Sequence, residues 1–152
     1  MTELECAAVA TAVPTPHIND VITACRESAR SVAVISNNSE KAVRAYLAAH
    51  ELDGQVGMVA ARTSYDAAIL GASPYLIDRA ANKLGTHAST CVVIGGSRTD
   101  IESAYRAGAP SIGYARTPVD SERLTAAGAE AIVLSMADLA LRLRARVADP
   151  EM

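Results

Sequence analysis

The chain has 152 residues, enough for one domain with a sizeable core, and 50% of them are apolar. Its aromatic residues are five Tyr, with no Phe or Trp, so the interior must be built from Ala, Val, Leu and Ile. A formal net charge of -3 gives no electrostatic case for nucleic acid or an anionic membrane surface, and no run reaches the ~18 to 20 apolar residues of a membrane span.

In chain order, residues 1–16 read as a lead-in. Glu3 and Glu5 argue against a signal peptide, and Ala12-Val13-Pro14-Thr15-Pro16 reads as a hinge into the first helix. Helical patterns are expected near residues 18–29, 40–50, 74–84, 100–107, 121–127 and 136–147. Between them, short apolar runs at 32–35, 91–94, 111–114 and 131–134 read as buried parallel strands, with 56–60 a weaker fifth. Ser39 suits an N-cap and Pro74 a first helical position, while Gly85, Gly108 and Gly128 stand just past helix ends. Alternating strands and helices imply an α/β, doubly wound (Rossmann-like), mostly parallel sheet, with residues 17–147 as a single core domain. Cys6, Cys25 and Cys91 are an odd, widely spaced set, expected to be reduced thiols of a cytoplasmic protein. His17, His50 and His87 show no zinc-site spacing.

In open α/β sheets ligands bind beyond the carboxyl ends of the strands. The run ending Ile35-Ser36-Asn37-Asn38-Ser39 delivers a hydroxyl and two amides to that edge, just before a helix N-terminus that favours an anion. A second run, Val93-Ile94-Gly95-Gly96-Ser97-Arg98-Thr99-Asp100, is a strand, a glycine turn and a helix start. The two ends together are expected to face one pocket. Plainer roles exist for the same residues: Asn37 and Asn38 form turns, Asp100 caps its helix, and Arg98 faces water. Arg62-Thr63 and Arg116-Thr117 also stand just past strands, where their side chains would reach a ligand or solvent.

These residues, in this order, resemble the haloacid dehalogenase-like (HAD) phosphohydrolases over nearly the whole chain. Ser36 after Val32-Ala33-Val34-Ile35 matches the second family motif, a Ser or Thr that binds the transferred phosphoryl group. Leu70-Gly71-Ala72-Ser73-Pro74-Tyr75-Leu76 matches the region of the third, and Gly95 to Asp100 the fourth. The departures matter as much. The sequence holds no Asp-x-Asp, the nucleophile motif of the family's first strand; Gly71 stands where the family has Lys; Gly96 replaces a metal-binding Asp. An autonomous magnesium phosphatase is therefore not expected, and neither a metal nor another cofactor is assigned.

The resemblance also places the family's first strand between the strand ending at Ser36 and the one ending at Gly95. Something must fill that slot. One candidate is the run from Cys6 to Val13, although its alanines favour helix. The favoured candidate is a second protein chain that carries the first strand and the cap. On this reading the chain is the C-terminal half of a split HAD-like enzyme. It is similar in outline to the heteromeric proteins of actinobacterial natural-product pathways that expel sulfate from carbon while a neighbouring amine closes an aziridine ring. A sulfate ester presents one negative charge where a phosphate monoester presents close to two, so it needs less compensation. The resemblance then implies Ser36 and Asp100 as catalytic residues, and Ser36, Asn37, Asn38, Gly96, Ser97 and Arg98 as the anion site. Two alternatives stay open: an inactive HAD-like partner subunit, or a magnesium phosphatase whose missing acids come from a partner or were removed by engineering.

Overall fold

The computed structural model describes residues 14–62 and 72–148. The run from Cys6 to Val13, Thr63 and Gly71 lie outside the described residues.

Strands and helices alternate throughout. Helix α1 (Ile18–Glu27) leads into strand β1 (Ala33–Ser39), helix α2 (Glu40–Ala49) and strand β2 (Met58–Arg62). Then come α3 (Tyr75–Lys83), β3 (Val93–Gly95), α4 (Arg98–Ala107), β4 (Ser111–Tyr114), α5 (Pro118–Ala127), β5 (Ala131–Val133) and α6 (Met136–Ala148). Among the described residues no helix is long and apolar enough to cross a membrane.

The element ends differ from the expected ones for local reasons. Ser97 and Thr117 each open a Ser/Thr-x-x-Asp pattern: Ser97 Oγ accepts the Asp100 N–H, and Thr117 Oγ1 accepts the Asp120 N–H. These caps start α4 and α5 two and three residues ahead of the expected 100 and 121, because apolar periodicity does not see polar first turns. Pro74 precedes α3 instead of occupying its first position. Strand β1 runs on to Ser39 because its register slips: Ser36 pairs with Ala61 and Ser39 with the next residue, Arg62. Asn37 and Asn38 are thereby pushed out of the ladder at the strand's carboxyl end.

All pairings are parallel, as the alternation requires, but the sheet is in two parts. One has the order β1-β2 and the other β3-β4-β5. No strand of the described residues joins β1 to β3. Helices cover both faces. On one face of the β1-β2 pair, Val34, Val59 and Ala61 pack with Ile22 of α1 and with Val43 and Leu47 of α2. On the other, Ala33 and Ala60 pack with Leu76 and Ala80 of α3. Val21 and Ala24 of α1 meet Val133, Met136, Leu139 and Ala140, which ties α6 to the same side as α1. With no large aromatics, alanines fill the interior: Ala24, Ala42, Ala60 and Ala104 are fully buried.

Candidate functional site at the ends of β1 and β3

The glycine turn after β3 is set by one close approach. A Cβ on Gly95 would stand 2.3 Å from the Asp100 Cβ, so only glycine lets the first turn of α4 fold back on the strand. Asp100 uses that approach. Its Oδ2 accepts the N–H of Gly96 at 3.1 Å and of Ser97 at 3.0 Å, while its own N–H donates to Ser97 Oγ at 3.2 Å. This is a reciprocal capping box. The Ser97 amide is therefore engaged by Asp100. At Gly96, in contrast, a Cβ would meet nothing closer than the Tyr114 carbonyl at 3.6 Å, so this position has room for a side chain.

At the end of β1, Ser36 Oγ accepts the Asn38 N–H at 3.1 Å, which holds the loop after the strand in a tight turn. The Arg62 guanidinium donates to the Asn37 carbonyl at 3.3 Å and fastens the same loop to β2. Ser39 is the N-cap of α2, accepting the Ala42 N–H at 3.3 Å.

Both strand ends open into one cavity of about 770 Å³. Ser36, Asn37, Gly96, Thr99 and Asp100 line one end of it, so the expectation that the two loops share a pocket describes the geometry. Asn38, Ser97 and Arg98 are not among the lining residues. Asn38 turns its amide to Ser36, and Arg98 Nε pairs with Glu102 Oε1 at 2.6 Å on the exposed face of α4. Gly96 also borders a second, open depression with Tyr114, Arg116 and Asp120. The Arg116 guanidinium lies 5.9 Å from the Tyr114 ring centroid, and the Arg116 backbone N–H donates to Asp120 Oδ2. Cys25 lines the main cavity too; burial raises its thiol pKa, and the nearby Arg30 partly offsets that.

The residues present do not fit a magnesium ion by themselves. Asp100 turns one oxygen to two backbone amides, Gly96 supplies no carboxylate, and Asp120 is held by the Arg116 amide. No group of three or more His, Cys, Asp or Glu gathers anywhere among the described residues.

Comparison with known proteins bears on the fold. The HAD-hydrolase-like family profile matches residues 72–139, which contain the whole β3-to-β5 sheet. The structure of a haloacid dehalogenase-like protein of unknown function from Agrobacterium tumefaciens superposes with a TM-score of 0.74 at 22% identity, covering 88% of this chain and 61% of that one. This is a HAD-like core fold. A candidate phosphoglycolate phosphatase from Lactobacillus delbrueckii gives 0.73 at 25% identity, over 86% of this chain and 53% of that one. CbbY from Rhodobacter sphaeroides, in complex with xylulose-(1,5)-bisphosphate, gives 0.74 at 23%, over 91% and 62%. The chain thus spans about three fifths or less of the length of these HAD-like structures. No curated protein matches it by sequence.

Sequence reasoning missed several ties at this edge. Thr99 lines the cavity beside Asp100, and its place in the first helical turn was the available signal. The Arg79 guanidinium donates to the Ala61 carbonyl at the end of β2, and Arg106 reaches the Ala72 carbonyl at 2.6 Å. Both span distances in the chain that no local pattern encodes.

Proposed function

We propose that the chain is the core half of a HAD-like enzyme that holds an oxyanion leaving group where β1 and β3 end, a sulfate ester in preference to a phosphate. It works there with a second protein chain in a metal-independent elimination and ring closure of secondary metabolism. The observation that supports this most is the character of the cavity's strand-end wall. Ser36, Asn37 and Thr99 are neutral hydrogen-bonding groups, Gly96 leaves space, and the one lining cation among the described residues, Arg30, precedes β1. Neutral donors beside a helix N-terminus suit a bound sulfate ester, a monoanion, better than a phosphate monoester with close to two charges.

In this reading a substrate amine attacks the carbon that bears the sulfate. A C–N bond forms, the C–O bond breaks with its electron pair leaving on the sulfate oxygen, and the proton on nitrogen passes to solvent or to the Asp100 carboxylate. Ser36 and Thr99 donate to the departing oxyanion. Asp100, through its two amide bonds, keeps the Gly96 turn in shape. The same bonds favour the second reading, an inactive partner subunit, because the carboxylate takes amides that an anion would otherwise use.

Titration with methyl sulfate, a monoanion, and methyl phosphate, a dianion above pH ~8, followed by amide chemical shifts, separates the readings. Methyl sulfate should shift Ser36, Gly96 and Thr99, and the Ser36→Ala change should weaken it about tenfold, the loss of one hydrogen bond to a charged group. Tighter binding of phosphate dianion than of sulfate would refute the sulfate preference. No shift with either anion would favour the inactive subunit.

A further inference from the structure

The loops after β3 and β4 are built on one pattern. Gly96-Ser97-Arg98-Thr99-Asp100 and Arg116-Thr117-Pro118-Val119-Asp120 each pass through a Ser or Thr cap to an Asp three residues later. In each, the Asp Oδ2 accepts the backbone N–H of the residue before the cap, Gly96 in one and Arg116 in the other. Gly95 pairs with Gly113, so Gly96 and Tyr114 leave the ladder side by side. Position by position, the second loop carries an arginine where the first carries no side chain.

The charges around that arginine leave its head available. Asp120 turns Oδ2 to the Arg116 backbone N–H at 3.3 Å, and its Oδ1 lies 3.9 Å from Arg123 Nη1. Among the described residues the Arg116 guanidinium has no hydrogen bond or ion pair, and what it meets is the Tyr114 ring. Arg98, on the neighbouring helix, is by contrast paired with Glu102. A cation over a tyrosine face is attracted to it, while the N–H donors along the edge of the guanidinium stay open. Tyr114, Arg116, Asp120 and Gly96 border one depression of about 390 Å³, and Gly96 also lines the main cavity with Ser36 and Thr99. The two spaces therefore meet at the glycine.

We infer that Arg116 binds a second anionic group of the substrate, a carboxylate, on the reading above that a sulfate ester sits where β1 and β3 end. The substrate class is then a sulfate monoester that also bears a carboxylate. The planar edge of a guanidinium matches the two oxygens of a carboxylate, and one cation offsets one charge. Neighbouring strands lie about 4.8 Å apart, which puts the two anionic groups on the order of 5 to 10 Å from each other, a few bonds along one carbon chain. An anchor at each end fixes the orientation of the carbon between them. Tyr114 is a positioning residue, since it acts by holding the guanidinium.

The test is titration of the full chain with methyl sulfate, with γ-hydroxybutyrate O-sulfate and with the methyl ester of that acid, read by amide chemical shifts. All three should shift Ser36, Gly96 and Thr99. The free acid alone should also shift Tyr114 and Arg116, and should bind about tenfold more tightly than its ester, the gain of a hydrogen-bonded charge pair. Arg116→Gln should remove that advantage and leave methyl sulfate binding nearly unchanged, which also shows that the variant is folded. Arg116→Lys should keep part of it, as a point charge without the fork. Arg98→Gln, the same change in charge on α4, should keep all of it.

An acid that binds no better than its ester overturns the inference and leaves the oxyanion reading intact. An advantage lost equally in Arg98→Gln overturns it too, because a general field is then responsible. If methyl sulfate shifts nothing while the acid shifts Tyr114 and Arg116 in the parent but not in Arg116→Gln, the carboxylate subsite stands and the sulfate reading alone falls. No shift with any of the three overturns both.

Discussion

Replacing Asp100 with Ala tests whether this acid is a structural cap or a free reactive group. The change removes an acceptor of two amide bonds, 3.1 Å from the Gly96 nitrogen and 3.0 Å from the Ser97 nitrogen, and breaks one arm of the capping box. Both amides are exposed, so water replaces the carboxylate and no burial penalty is added. The expected cost is that of an exposed cap, about 1 kcal/mol. In a chain of this size that lowers the melting temperature by about 2 to 4 °C. Asp100→Asn keeps one acceptor without the charge and should lose about half as much. Ser97→Ala removes the other arm, and the double variant should lose less than the sum by roughly 0.5 kcal/mol, because either single change already disables the box. Urea unfolding of the parent and the four variants measures all of these values. If Asp100→Ala is as stable as the parent while Ser97→Ala is not, the reciprocal bonds do not hold in solution and Asp100 is free for chemistry.

The two adjacent glycines should respond in opposite ways. Gly95→Ala forces a Cβ to 2.3 Å from the Asp100 Cβ and should cost about 2 to 3 kcal/mol by urea unfolding, whereas Gly96→Ala, with 3.6 Å of clearance, should cost under about 0.5; equal losses would mean that the turn adopts another shape. The Cys25 thiol, raised in pKa by burial against a smaller opposing effect of Arg30, binds its proton more tightly folded than unfolded. Its contribution to stability is therefore complete below the ordinary thiol value of about 8.5 and is lost as pH rises through that value toward the folded one. Cys25→Ser should flatten the stability profile above pH ~8.5, and an unchanged profile would show that the thiol is not buried in solution.

The parts of this fold that were legible in the sequence are those governed by local chemistry. Residues 111–114 form β4 as expected, since Ser111-Ile112-Gly113-Tyr114 is bounded by Pro110 and by the Thr117 cap. The left-handed glycines Gly108 and Gly128 end α4 and α5 where the pattern placed them. The early starts of α4 and α5 were legible as well, but in the Ser/Thr-x-x-Asp signal and not in hydrophobic periodicity. The site divides along the same line. That Ser36 and Gly96 approach one cavity follows from two strand ends in a parallel sheet. That the Ser97 and Asn38 amides are already spoken for, by Asp100 and Ser36, depends on which way each turn folds. Arg62, which fastens the Asn37 loop, acts across 25 residues of chain.

The break between β1 and β3 has a different origin. The first half of β1 and all of β3 have the apolar character of central strands, Ile35 and Ile94 included, and periodicity alone does not distinguish a paired edge from an unpaired one. An edge strand that stood alone would carry charges or a proline to prevent association. Neither β1, reading Ala33-Val34-Ile35-Ser36-Asn37-Asn38-Ser39, nor β3, reading Val93-Ile94-Gly95, has a charge or a proline. The edges of β1 and β3 that face each other therefore carry none of the features that keep a free strand from pairing.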